Sequence, residues 1–185
     1  MQIKLKKLIL YFRFLYHTLF IRKLQFKEEK SIFDIEFGKF SPEIKLIIAD
    51  FDDTLAEFYG YIGKKSIDFI QNCKENGIKF VVFSNRPKKA KIKLNNELSN
   101  LDIDSIKASS KPIADAYLKI LEKENISGKN AMFVGDRIFT DIFGAYLAGI
   151  SHLVLVTPYS DVFGGNKPNI LYRWVRSFEK LLFFK

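Results

Sequence analysis

The sequence holds a single cysteine, Cys73, which excludes an intramolecular disulfide and a cysteine-based metal cluster. Cys73 falls inside an amphipathic helical pattern and reads as a small apolar packing residue. There is no internal repeat and no low-complexity linker, so 185 residues suit one well-buried domain rather than two. No apolar run is long enough to span a bilayer. The longest, Leu8 to Ile21, falls short of the roughly 20 residues required, and Arg13 and His17 interrupt it. It also lacks the small-residue cleavage site of a secretory leader, so a cytoplasmic location is expected.

What is present is a globular composition, 48% hydrophobic and 28% charged, with a formal net charge of +9. The basic excess is confined to the two ends. Residues 1–30 carry eight Lys/Arg against two Glu, and residues 165–185 carry five against one, which leaves 31–164 at about −1. That distribution points to an anionic surface met by the termini rather than to a basic core. Between Lys7 and Arg22, Tyr11, Phe12, Phe14, Tyr16 and Phe20 are mixed with basic residues. This suits a helix lying in a membrane interface, or one packed on the domain or on a second subunit. Three regions follow: 1–30, a basic aromatic N-terminal segment; 31–164, a catalytic domain; and 165–185, a basic aromatic C-terminal helix.

From residue 44 onward apolar runs alternate with amphipathic stretches. Strands are expected over Ile44–Ala49, Lys79–Phe83, Asp104–Ala108, Ala131–Val134 and His152–Val156. Helices are expected over Lys64–Asn76, Lys88–Ser99, Pro112–Lys123 and Phe139–Ala148, with Gly77, Gly128 and Gly149 where helix ends need a left-handed residue. His152 opens an apolar strand and reads as a packed core histidine. The βαβ alternation predicts an α/β domain, a central parallel sheet with helices on both faces. Ligands bind such sheets outside the carboxyl ends of the strands.

Polar residues fall at those ends four times. Asp50-Phe51-Asp52-Asp53-Thr54 follows the first strand, Ser84-Asn85 the second, and Ser109-Ser110-Lys111 the third. Gly135-Asp136-Arg137-Ile138-Phe139-Thr140-Asp141 follows the fourth. Any one of these carboxylates or hydroxyls alone would be an ordinary cap or turn residue; the four in this order are not.

In these four motifs the sequence resembles the haloacid dehalogenase phosphatases over about residues 45–157. The resemblance implies a single Rossmann-like domain and an aspartyl-phosphate formed on Asp50. Mg²⁺ is the implied cofactor, held by Asp50, Asp136 and the backbone carbonyl of Asp52, because a carboxylate facing a phosphate dianion needs a bridging cation. Asp141 would act through a water or hold Lys111. Asp52 would be the general acid and base. Ser84 and Asn85 would bind the phosphoryl oxygens, Lys111 would neutralise their charge, and Thr54 would shape the loop. Asp53, Asn85 and Arg137 read equally as capping or supporting residues.

Thr54–Ile78 and Lys88–Lys111 are each used up by one helix and its connections, which leaves no room for a cap domain and implies an open site. Ser31-Ile32-Phe33-Asp34-Ile35, the run Val134–Ala145, Thr157-Pro158 and the basic terminal helix resemble the YqeG-like branch, which includes phosphatidylglycerophosphate phosphatases. The chain differs from that branch at Arg137, at Ala145 and in its longer aromatic N-terminus. The implied substrate is an anionic phospholipid, met by a protein peripheral on the inner face of the membrane. The alternatives are a soluble sugar- or nucleotide-phosphate phosphatase, a nucleic-acid end phosphatase and a non-enzymatic membrane-binding protein. Nucleic acid is the less expected partner, and an oligomer is compatible with the sequence.

Overall fold

The structure is a computed structural model that describes residues 2–16, 24–36, 43–87, 94, 96–99, 103–106 and 111–183. The expected helix over 88–99 lies mostly outside them, although 96–99 are helical, and so do Ser109, Ser110 and the end of the strand expected over 104–108. The apolar runs form parallel strands: β2 (Leu46–Ala49), β3 (Lys79–Phe83), β4 (Asp104–Ile106), β5 (Ala131–Gly135) and β6 (His152–Val156). β2 and β5 are buried at every position, as a sheet covered on both faces requires. His152 is half-buried at the start of β6.

Among the described residues the sheet has six strands rather than the five expected. Lys27–Glu29, here β1, pairs parallel with β6 and gives the order β1-β6-β5-β2-β3-β4. Its sequence, Lys-Glu-Glu, carries no apolar periodicity because it is an exposed edge, where charge discourages further pairing. Part of the segment assigned to the N-terminal region thus belongs to the sheet.

Two apolar layers cover the faces. On one, α2 (Lys64–Glu75) and the turn Ile32–Asp34 pack Phe69, Ile70, Cys73 and Ile32 against Ile47, Ala49 and Val82. Cys73 is fully buried, and burial pushes its thiol up to about 12, so it is the packing residue expected. On the other face lie α1 (Gln2–Tyr16), α3 (Ala114–Glu124), a π-helical turn (Ile138–Phe143) and α4 (Gly144–Leu147). The expected helix over 139–148 is therefore two pieces. Gly77 and Gly149 adopt positive φ as expected, but Gly128 does not: the left-handed residue ending α3 is Asn125. A Cβ on Gly128 would instead meet the carbonyl oxygen of Gly149, so that glycine allows two backbones to approach.

The last elements are α5 (Tyr159–Val162) and α6 (Ile170–Phe183). Both α1 and α6 pack against the π-helical turn. Phe14 of α1 is fully buried, with ring centroids 5.2 Å from Phe139 and 5.3 Å from Phe143. The outward residues of α1 (Leu5, Leu8, Ile9, Phe12, Tyr16) and of α6 (Ile170, Leu171, Trp174, Leu181) are each more than half exposed. Among the described residues, no helix is long and apolar enough to cross a membrane.

Candidate active site

β2 lies where the chain reverses its direction of travel across the sheet, β3 and β4 on one side and β5 and β6 on the other. Loops leaving adjacent strands at such a point diverge and open a crevice. Asp50 leaves β2 there, its backbone N–H still bonded to Val134 O of β5 at 2.9 Å. Asp136 leaves β5 next to it.

Lys111 joins the two loops. Its Nζ donates to Asp50 Oδ1 at 2.5 Å and to Asp141 Oδ1 at 2.7 Å, with all three residues buried. Burial opposes the ammonium, but Asp141 and Asp50 outweigh it and hold Lys111 above the usual lysine range. Burial holds the Asp50 carboxyl well above its ordinary value; Lys111 pulls it back, and Asp141, Asp136 and Asp52 push it further up. Burial likewise brings Asp136 up to about 7, against the pull of Arg176.

Asp50, Asp136 and Asp141 each offer a carboxylate oxygen within 4.8 Å of the others, a set that fits a small divalent cation. Among the described residues no hydrogen bond is directed at the buried Asp136 Oδ2, although the Arg176 guanidinium lies beside it as an ion pair. With every carboxyl ionised, Asp50, Asp52, Asp53, Asp136, Asp141 and Glu179 carry two more charges than Lys111, Arg86, Arg137 and Arg176, an excess that a divalent ion would balance. The resemblance implies a ligand place for the Asp52 carbonyl and, for Asp141, a role through a water or in holding Lys111, and Asp141 does hold Lys111. The structure puts the Asp141 carboxylate in the metal-capable set, because the π-helical turn swings it back under Asp136: Arg137 N donates to its Oδ2 at 3.0 Å.

The Asp52 carboxylate is not part of that set, although it lines the same pocket as Asp50. Arg86 grips it with Nε at 3.0 and 2.9 Å and Nη2 at 2.7 Å, and the Tyr59 N–H donates to it at 2.8 Å. Arg86, 7% exposed, also donates to Gly60 O and stacks on the Phe51 ring at 4.6 Å. Arg86 was not singled out in the sequence, though it immediately follows Ser84-Asn85 at the end of β3.

Asn85, expected to bind phosphate, is occupied otherwise. Its Oδ1 accepts from Lys111 N at 3.1 Å and its Nδ2 donates to Lys111 O at 3.3 Å, so it clamps the lysine's backbone. Ser84 is buried, with its Oγ accepting from Arg86 N at 3.2 Å. Thr54 is buried, and its hydroxyl has no hydrogen-bond partner among the described residues. Asp53 supports the loop: fully buried at φ 59°, it accepts from Ser160 N at 3.2 Å and from Arg176 at 3.2 Å. Arg137 is a supporting residue too, paired with buried Glu179 of α6 through Nε at 3.1 Å.

Above Asp50 opens a pocket of about 220 Å³, lined by Asp50, Asp52, Asn85, Arg86, Lys111 and Arg137 and rimmed by Phe58, Tyr59 and Tyr172. A buried carboxylate beside a lysine, with a second carboxylate two residues on and a set able to hold a divalent cation, is an arrangement suited to phosphoryl chemistry.

Residues 64–149 match the family model for haloacid dehalogenase-like hydrolases. The chain is 30% identical over 131 residues to "Probable phosphatase YqeG" of Bacillus subtilis, covering 70% of this chain and 74% of that one. Among solved structures, it resembles an uncharacterized protein of Listeria monocytogenes serotype 4b at TM-score 0.50 and 21% identity, covering 64% of this chain and 94% of that one. It also resembles the cobalt-bound deoxy-D-mannose-octulosonate 8-phosphate phosphatase of Haemophilus influenzae at TM-score 0.48 and 17% identity, covering 78% and 91%. The chain belongs to the haloacid dehalogenase-like hydrolases, a metal-dependent family, and is a phosphatase of phosphate esters.

Proposed function

We propose that the chain hydrolyses a phosphomonoester through an aspartyl-phosphate on Asp50, with Mg²⁺ as its metal. The observation that carries this reading is the placement of the Asp50 carboxylate at the floor of an open pocket, bonded to Lys111 at 2.5 Å, with the Arg86-held Asp52 at its side. An Asp50 oxygen attacks phosphorus and the P–O ester bond breaks. Asp52, entering the step protonated, gives its proton to the departing alkoxide. Asp52 then takes a proton from a water whose oxygen attacks the acyl phosphate, releasing phosphate and restoring the Asp50 carboxylate. Lys111 balances charge on the transferring oxygens. Ser84 and Asn85 hold Arg86 and Lys111 in place, and Thr54 shapes the loop. Mg²⁺ held by Asp50, Asp136 and the backbone carbonyl of Asp52, with Asp141 beside them, would offset the repulsion between carboxylate and phosphate.

For the substrate we favour a phosphomonoester on an anionic lipid headgroup, phosphatidylglycerophosphate, converted to phosphatidylglycerol. The support is the aromatic rim of an open pocket together with the outward apolar faces of α1 and α6, which flank the same turn as Asp141. Basic residues beside an anionic leaflet contribute about 1 kcal/mol each, and Trp174 suits the interface. The protein would then sit peripherally on the inner face of the membrane.

A soluble sugar- or nucleotide-phosphate substrate is the second reading. It is favoured by Arg176, which faces the site and not an anionic surface. Phosphate release from phosphatidylglycerophosphate in mixed micelles, from soluble phosphomonoesters and from a 5′-phosphorylated oligonucleotide separates the readings. Preference for the lipid supports the first, and turnover of soluble esters alone overturns it.

A further inference from the structure

α6 sends three side chains into the site from one face, Tyr172, Arg176 and Glu179, spaced as successive turns of a helix require. Glu179 is 1% exposed, pairs with Arg137 and also accepts from Phe139 N. The Tyr172 ring covers the Arg137 guanidinium at 4.5 Å. Arg176 is 8% exposed, with one nitrogen shared between Asp53 Oδ2 at 3.2 Å and Asp136 Oδ2. Its Nε is buried without a hydrogen-bond partner among the described residues, so its fit to these carboxylates is incomplete. It does not line the substrate pocket. The reaction steps above leave all three residues of α6 unused.

A guanidinium and a divalent ion on the same carboxylate oxygen repel each other. We infer that Arg176 is a tethered cation that neutralises Asp136 when no metal is bound, so that metal binding and the seating of α6 oppose each other. This rests on the reading that Asp136 is a metal ligand. An arriving ion drives Arg176 back toward Asp53 and loosens α6. By reciprocity, whatever loosens α6 from outside raises metal affinity by the same factor. The incomplete pairing of Arg176 makes this exchange feasible: a fully satisfied guanidinium would have to break good hydrogen bonds to move, whereas this one has a second acceptor, Asp53, already in contact.

The test is Mn²⁺ binding to the full chain, measured by the electron paramagnetic resonance of the free ion, for the native protein and for Arg176→Gln. The variant is expected to bind Mn²⁺ at least about fivefold more tightly. In the native protein, Mg²⁺ is expected to speed hydrogen exchange across 170–183, an effect absent in the variant. Glu179→Gln frees α6 at its other anchor without touching Asp136; it should also tighten Mn²⁺ binding, and it serves if Arg176→Gln does not fold. Unchanged or weaker affinity in the folded variants overturns the inference. Asp136→Asn separates it from the underlying reading: undiminished Mn²⁺ binding there would show that Asp136 is no ligand and would remove both.

Discussion

At Gly135 the backbone comes so close to the acidic loop that an added Cβ would lie 2.6 Å from Asp141 Cβ and from its Oδ2. Gly135→Ala must therefore displace the carboxylate that anchors Lys111, and a shift of that size is expected to lower kcat by about 10²-fold. Soluble, folded protein with native activity would contradict it. Among the described residues Arg86→Ala leaves the Asp52 carboxylate with the Tyr59 N–H alone, and the same magnitude is expected, falling on kcat more than on KM, by steady-state kinetics. Asp50, Asp52, Lys111, Asp136 and Asp141 were legible in the sequence because strand ends deliver them in fixed order. Arg86, Arg176 and Glu179 were not. Two of these sit on a helix whose spacing looks the same whether it faces a membrane or an active site, and only the buried partners tell the two apart.

Among the elements, the π-helical turn Ile138–Phe143 does the most positioning, and its extra residue per turn is what brings Asp141 Oδ2 back to Arg137 N at 3.0 Å. An apolar periodicity cannot distinguish that turn from an α-helix, which is why one helix over 139–148 was expected. α1 braces the turn with Phe14. Phe14→Ala should cost about 3 kcal/mol, a fall in Tm of roughly 6–12 °C for a chain of this size. Differential scanning calorimetry checks it, and an unchanged Tm would mean that α1 does not stay docked. The edge strand β1 escaped the sequence reading because it is charged and short, whereas the buried strands announced themselves by continuous apolar runs.

For the whole molecule, the two unbalanced negative charges of the site link stability to metal and pH. Burial holds Asp136 up at about 7 and Asp50 also above its ordinary value. An acid with a raised folded pKa binds its proton more tightly folded than unfolded. Without metal, its contribution to stability therefore falls as pH rises from about 4 to about 7. Mg²⁺ binds the deprotonated carboxylates, so the rise in Tm on adding Mg²⁺ should be larger near pH 8 than near about pH 5.5; the opposite order would contradict the assignment of these acids to the metal. The basic ends predict a salt-sensitive association with anionic vesicles, checked by flotation, while Arg176 in the site takes one charge out of that attraction. Covalent catalysis at Asp50 is tested by rapid acid quench of the enzyme with Mg²⁺ and a labelled phosphomonoester, followed by peptide mass spectrometry. A phosphoryl group on Asp50, absent in Asp50→Asn along with at least about 10³-fold of the phosphate release, is the expected result. Turnover by Asp50→Asn at the native rate, or a phosphoryl group on a different side chain, would contradict it.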